Sequence, residues 1–291
     1  MKRAGFLVLA LVLLGLLSAP AQAAQPAEAK AVQQSRAEVV HYWTPERMRT
    51  AVPLDRTKGA GGKKPRAQFP FTRYEPGTYN PAHGKVFFSD GGTNYVCSGT
   101  ALTSGNKSVV WTAGHCVNEG PGAYYTNWAF VPAYKDGARP YGTWTARTLL
   151  TTSAWRTGGD FSHDLGAAVV NTNGGATLTD TVGSRGAAFN QSPWQHYLSH
   201  GYPAAPPFSG GRMYICEADL GTQDTSANPP TLGIGCDMTG GSSGGSWVVG
   251  NNVLSVNSYG YSNQPNVMYG PYQDSIAQQL YTAAGGSCAT A

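Results

Sequence analysis

The sequence predicts an all-β protein, a sandwich or a barrel, and three observations carry that expectation. Turn formers are abundant, with 38 glycines and 19 prolines among 291 residues, which suits short strands joined by many turns. Charged residues make up 12% of the chain and hydrophobic ones 41%. That excludes a long-helix or coiled-coil protein, which needs far more Ala, Glu, Lys and Leu, and a typical disordered chain, which needs more charge. From Lys85 onward, short apolar or alternating runs recur between Gly, Asn, Pro and Asp: Val86-Phe87-Phe88, Val109-Val110-Trp111, Ala167 to Val170, Trp247-Val248-Val249 and Val253 to Val256 among them. At about 150 residues per domain the length admits one large domain or two small ones, each able to bury a core.

Taken in order, the chain opens with Lys2-Arg3, an apolar run from Gly5 to Leu17 and a small-x-small site at Ala21-Gln22-Ala23. These are the parts of a secretory signal, expected to be cleaved after Ala23, and the run is too short to span roughly 30 Å of hydrocarbon. No other stretch approaches transmembrane length, so a secreted protein without membrane contact is expected. Residues 24–84 read as a leader, or propeptide, and 85–291 as the functional domain. In the leader, Thr44 to Arg49 predicts one short helix, with Thr44 as N-cap and Pro45 at the first helical position. Lys58 to Arg66 is basic and Gly-rich, the best candidate for a processing site. Pro271 to Ala284 predicts a C-terminal helix, with Ile276, Leu280 and Tyr281 on one face.

Charge is divided unevenly. Residues 1–85 carry 13 basic and 5 acidic side chains, a net +8, whereas residues 86–291 carry 7 and 11, a net −4. Nucleic-acid binding needs a basic face on the folded domain, and the larger part is mildly acidic, so that class is excluded. The five cysteines, Cys97, Cys116, Cys216, Cys236 and Cys288, form no CxxC pair. Zinc and thioredoxin-type chemistry are therefore not expected, and neither a metal nor a cofactor is. Export favours disulfides, and proximity along the chain suggests Cys97–Cys116 and Cys216–Cys236 with Cys288 free, although four cysteines allow three pairings.

Two segments carry candidate chemistry. His115, one of six histidines, ends an apolar run in Trp111-Thr112-Ala113-Gly114-His115-Cys116. An imidazole held there, beside a cysteine able to lock the turn, suits a general base. Thr239-Gly240-Gly241-Ser242-Ser243-Gly244-Gly245-Ser246 is either a flexible loop or a nucleophile loop whose glycines let backbone N–H groups face an oxyanion. Gly240-x-Ser242-x-Gly244 formally matches the α/β-hydrolase elbow, but that mechanism places its histidine after the serine and none follows His200. A subtilisin order needs an acid at Asp90 or earlier in an alternating α/β chain. The order His, Asp, Ser is available instead. Asp164 directly precedes the apolar run Leu165 to Val170 and is the preferred acid; Asp160 is the runner-up, and Asp180 begins no comparable strand.

The segments Val96-Cys97-Ser98-Gly99-Thr100, Thr112-Ala113-Gly114-His115-Cys116, His163-Asp164-Leu165-Gly166, Gly241-Ser242-Ser243-Gly244-Gly245 and Ser258-Tyr259-Gly260 resemble the secreted trypsin-like peptidases, with a nearer resemblance to the bacterial group that includes the glutamyl endopeptidases. The resemblance covers about residues 85–284. It implies two six-stranded antiparallel β-barrels with the active site between them, and a C-terminal α-helix. It further implies Ser243 as nucleophile, His115 as base and acid, Asp164 as its orienting partner, and the N–H groups of Gly241 and Ser243 as oxyanion hole. Ser258 would support the aspartate, and Ser258-Tyr259-Gly260 would pair with substrate backbone. Cys97–Cys116 matches the family's bridge across the histidine loop.

The departures matter as much. Ser242 stands where activatable trypsins have an aspartate, so their ion-pair switch cannot operate there, and the leader is expected to restrain the enzyme by covering its cleft or shielding its acidic domain. No histidine lies around Val256-Asn257-Ser258, so glutamate specificity is not inherited. Asp237 lies six residues before Ser243, the spacing of the trypsin pocket-floor aspartate, which predicts a preference for Arg or Lys, although Cys236 is in a different register. The expected activity is a serine endopeptidase acting on protein or peptide substrates as a monomer. A catalytically silent binding homologue and a serine esterase on the same fold are the alternatives.

Overall fold

The computed structural model describes residues 27–54, 57–59 and 69–285. The expected signal peptide, most of the basic stretch and Cys288 lie outside the described residues. His83–Asp90 and Thr93–Leu102 form an antiparallel hairpin. Val109–Thr112, Gly166–Val170, Trp144–Thr152 and Thr126–Pro132 extend it in turn. The last of these pairs back onto His83–Asp90, closing a six-stranded barrel. Strand alternation sorts the apolar run at its start. Val86 and Phe88 point into the barrel core with Val110, Trp128 and Phe130, while Phe87 points outward.

A second antiparallel set follows in the order Asn252–Val256, Ser246–Val249, His196–Gly201, Tyr214–Asp224, Thr231–Gly235 and Gln264–Gly270. Its two ends meet, with Ser258 N–H donating to Tyr269 O at 2.9 Å and Ser255 Oγ donating to Pro271 O at 2.8 Å. Its core holds Tyr197, Leu232, Ile234 and Trp247. The disulfides join Cys97 to Cys116 and Cys216 to Cys236. Among the described residues no helix is long and apolar enough to cross a membrane. The C-terminal helix runs Ser275–Ala283, later than the predicted start at Pro271, because Asp274 caps it by accepting from the N–H groups of Ile276 and Ala277.

The leader contributes more than the one helix expected. Thr44 caps Pro45–Thr50 as anticipated, but a second helix, Arg36–Tyr42, precedes it. Ser35 and Glu38 form its capping box, a signal present in the sequence. Val39, Trp43 and Met48 from these helices are buried against Phe87, Val96, Ala129 and Val131 on the outside of the first barrel. This cover explains why those strands are apolar on both faces. Ala27–Ala31 adds an antiparallel strand beside Trp144–Thr152, and Thr72–Tyr74 pairs with Tyr214–Asp224. The leader thus contacts both halves.

Between the halves, the rings of His83 and His200 stack 3.8 Å apart and nearly parallel. Arg185 Nε donates to His83 Nε2 at 3.2 Å, which requires that ring to be neutral, and His200 Nδ1 donates to Leu198 O at 3.0 Å. Burial, reinforced by Arg185, holds His83 well below its usual value and lowers His200 to about 4. Because these folded values lie below the unfolded one near 6.5, the unfolded chain takes up protons first as pH falls. The stacked pair is fully compatible with the fold above pH 6.5 and costs stability between pH 6.5 and 4, on the order of 3 kcal/mol for His200. Urea midpoints should therefore fall over that interval, and fall less in a His200→Gln chain; equal slopes for the two proteins would contradict the assignment.

Candidate active site

Register brings the histidine and the acid together. Gly166 pairs with Thr112 across adjacent antiparallel strands, so residues just before the first and just after the second emerge at the same edge. His115 lies there on the short turn Gly114–Cys116, tied by the Cys97–Cys116 bridge to the neighbouring strand. Asp164 follows the turn Phe161–His163. Both are fully buried. Asp164 Oδ1 accepts the His115 backbone N–H at 2.8 Å, and Oδ2 accepts His115 Nδ1–H at 2.6 Å. Oδ2 also accepts Ser258 Oγ–H at 2.5 Å. Burial alone would raise the Asp164 carboxyl, but the facing imidazole and these hydrogen bonds outweigh it and hold it below its ordinary value. His115 Nε2 is buried with no hydrogen-bond partner among the described residues.

Asp160, the runner-up acid, serves a different histidine. Its Oδ2 lies 2.8 Å from His163 Nδ1, and Asp274 Oδ2 lies 3.3 Å from Nε2. Burial pulls His163 down, but the two carboxylates raise it to about 9.

The serine loop is drawn against this edge from the second half. A side chain at Gly244, whose φ is +78°, would collide with Thr112 Oγ1 and Ala113 N. That close approach sets Ser243 beside the His115 turn. Ser98 clamps the same junction. Its N–H donates to Ser243 O at 2.7 Å, its Oγ donates to Gly241 O at 2.9 Å, and its own O accepts from Thr112 Oγ1 at 2.8 Å. Gly240 O accepts from Ala204 N at 2.8 Å, which turns the N–H of Gly241 to the opposite side of that peptide. Gly241 has φ +94°, and a Cβ there would meet Tyr202 O at 2.8 Å, so glycine is required. The N–H groups of Ser242, Gly244 and Gly245 are spent on Thr239, Asn257 and Ser242 carbonyls. Those of Gly241 and Ser243 find no acceptor among the described residues.

A cavity of about 320 Å³ opens beside Ser243, walled by Cys236 to Gly240, Ser258 to Tyr261 and Gln264 to Met268. Asp237 is part of this wall. One of its oxygens is buried with no hydrogen-bond partner among the described residues, and the other is ion-paired with Arg73 of the leader. Tyr259 and Gly260 lie on the strand Tyr259–Tyr261 at the cavity mouth. The sulfurs of Cys97 and Cys116 lie near His115 but are bonded to each other, so they offer no thiolate to a metal.

Asn257 was not singled out by the sequence reading, since an Asn after an apolar run reads as a turn former. Its Oδ1 accepts from Ser199 Oγ and Trp247 Nε1, each at 2.7 Å. Its Nδ2 donates to His200 O and Ser242 O at 3.0 and 3.1 Å. The residue before the serine is thereby fixed from inside the second core.

A buried His–Asp couple facing a glycine-rich serine turn, in the seam of two antiparallel β-domains, is the arrangement of a hydrolase that works through a serine. No family model matches the chain, and no curated protein matches it significantly. Solved structures do. The protease Anisep from Arthrobacter nicotinovorans is 47% identical over 74% of this chain and 100% of its own, with a TM-score of 0.71. The thermostable serine protease AL20, from an extremophilic microorganism, is 46% identical over 71% and 97%, with a TM-score of 0.68. A Glu endopeptidase at 20% identity, covering 73% and 96% with a TM-score of 0.58, shares the fold. The chain belongs to the chymotrypsin-fold serine peptidases, and its activity is that of a peptidase.

The Asn257 hub makes a prediction. Asn257→Ala takes the side-chain acceptor from Trp247 Nε1–H and Ser199 Oγ–H and the side-chain donor from His200 O, at about 1–3 kcal/mol for each group left unpaired, while Ser242 O keeps Gly245 N–H. The variant should lose at least about 2 kcal/mol in urea unfolding. A loss below about 1 kcal/mol would show that the hub is not structural.

Proposed function

We propose that the chain is a secreted serine endopeptidase made as a precursor, with 24–84 as leader and 85–291 as the peptidase domain. The observation that carries the catalytic assignment is the buried His115, held at Nδ1 by Asp164 with Nε2 left open, next to the serine loop. In this reading Ser243 Oγ attacks the scissile carbonyl while His115 Nε2 takes its proton. Asp164 stabilises the imidazolium that results, and Ser258 stabilises Asp164. The carbonyl oxygen, now negative, is met by the N–H groups of Gly241 and Ser243. Collapse expels the amine with the proton returned by His115 and leaves an acyl-enzyme on Ser243. Water then repeats the sequence and releases the acid.

Extracellular disulfides and the signal-like N-terminus support secretion. Substrate backbone would lie along Ser258 to Gly260, with the side chain before the scissile bond in the cavity. Asp237 makes that cavity anionic on one wall, which favours Arg or Lys there. In the full chain its carboxylate is shared with Arg73, so the preference would be expressed fully once the leader is gone.

Two measurements test this. Ser243→Ala and His115→Ala should each lower kcat by several orders of magnitude with the fold intact, leaving roughly 10³–10⁴-fold over water. Ser242→Ala should be far milder. An active, folded Ser243→Ala protein would end the assignment. In a peptide-library digest, cleavage after Arg and Lys should dominate and should weaken in Asp237→Ser; cleavage mainly after apolar or acidic residues would show that Asp237 only supports the loop.

A further inference from the structure

The leader segment Thr57–Lys58 pairs in parallel with Gly260–Tyr261, and Ser262 N–H donates to Lys58 O at 3.1 Å. Thr57 lines the cavity beside Ser243. Lys58 Nζ lies 3.8 Å from the ring centroid of Tyr259, 4.2 Å from that of Phe161 and 5.6 Å from that of Tyr261. The three rings make a box, with Phe161 and Tyr261 each edge-on to Tyr259. The hydroxyls of Tyr259 and Tyr261 both donate to Asp224 Oδ2, at 2.6 and 2.5 Å. Donation to a carboxylate enriches the rings in electrons and strengthens their attraction for a cation. The box adjoins the catalytic cluster, since Phe161 also packs edge-on against Trp155, which neighbours His115.

We propose that the box of Phe161, Tyr259 and Tyr261, backed by Asp224, is a second specificity subsite of the cleft that takes a basic side chain of the substrate upstream of the scissile bond, and that Lys58 of the leader fills it in the precursor. The proposal rests on the cleft assignment above. Three features of the site support it. An ammonium is held by three aromatic rings with no direct carboxylate contact among the described residues, which is the chemistry of cation–π recognition rather than of a surface ion pair. The charges around it are Asp224, Asp164 and Asp160, all anionic. The strand that supplies two of the rings is the one assigned to substrate backbone. A peptide bearing Lys or Arg must displace Lys58, so the leader inhibits most where the substrate preference is strongest. The box shares Tyr259 and Tyr261 with the cavity that Asp237 also lines, and the two acidic positions, Asp237 and Asp224, together describe an enzyme for peptides with more than one basic residue.

The test uses the full chain and a Lys58→Met variant, which keeps the stem and removes the charge. n-Butylammonium chloride is titrated in, with 1-butanol as neutral control, while the aromatic NMR signals of Phe161, Tyr259 and Tyr261 are followed. Saturable shifts are expected in Lys58→Met with the ammonium only, and absent in the unaltered chain. No saturable shift in the variant, or equal shifts in both proteins, would overturn the proposal. In parallel, kcat/KM is compared for peptides identical at the scissile bond and carrying Lys or norleucine at successive upstream positions. Lys58→Met should favour Lys at one position by about tenfold, and Asp224→Asn introduced into that variant should reduce the ratio; a ratio near one at every position would overturn the proposal. Ammonium binding in Lys58→Met, with no peptidase activity even after the leader has been removed, would instead count against the triad assignment and leave the box standing.

Discussion

A carboxylate with no exposure survives as an anion only if its oxygens are saturated with donors, and Asp164 is the point on which this site depends. Its three hydrogen bonds come from both halves of the molecule. Two are from His115, on the first barrel, and one is from Ser258, on the second. Separating the halves would strand a buried charge, so the same bonds that orient the imidazole also lock the seam. Orientation of the imidazole and docking of the halves are one interaction here.

The rest of the seam is polar for the same reason. Ser98 holds the carbonyls of Gly241 and Ser243, and Thr100 Oγ1 donates to Ser246 Oγ at 2.8 Å. His83 stacks on His200. An apolar seam would have bound the halves without fixing their register, whereas directional bonds hold the serine turn in one position against the first barrel. The cost is sensitivity to acid, because two neutral histidines sit where protons are unwelcome.

The leader is integrated to a degree that its composition conceals. It inserts Trp43 and Met48 beneath the first barrel's outer face. It adds strands to both sheets, places Arg73 on Asp237 and lays Thr57–Lys58 along the cavity rim. Ion pairs of both polarities hold it, Arg73 to Asp237 in one direction and Glu28 to Arg156 and Glu75 to Lys135 and Arg212 in the other. With the leader in place, the loop at Gly241 is held by Ala204 and Ser98.

What the sequence determined by itself was local or ordinal. Short apolar runs between glycines announced strands, the His–Asp–Ser order selected among serine hydrolases, and Ser35 with Glu38 encoded a helix start that passed unread. Each of these signals lies within a few residues or in the order of motifs. What only the tertiary structure decided was which distant groups meet. Asp160 and Asp164 are equally acidic on paper, and the turn between them sends one to His163 and the other to His115. Asn257 looks like a turn residue until four partners, from two strands and the serine loop, converge on it. Lys58 looks like linker charge until Phe161, Tyr259 and Tyr261 surround it. The reason is physical: hydrogen-bond saturation and cation–π contact are set by distances of a few ångströms between segments far apart in the chain, and no local pattern specifies them.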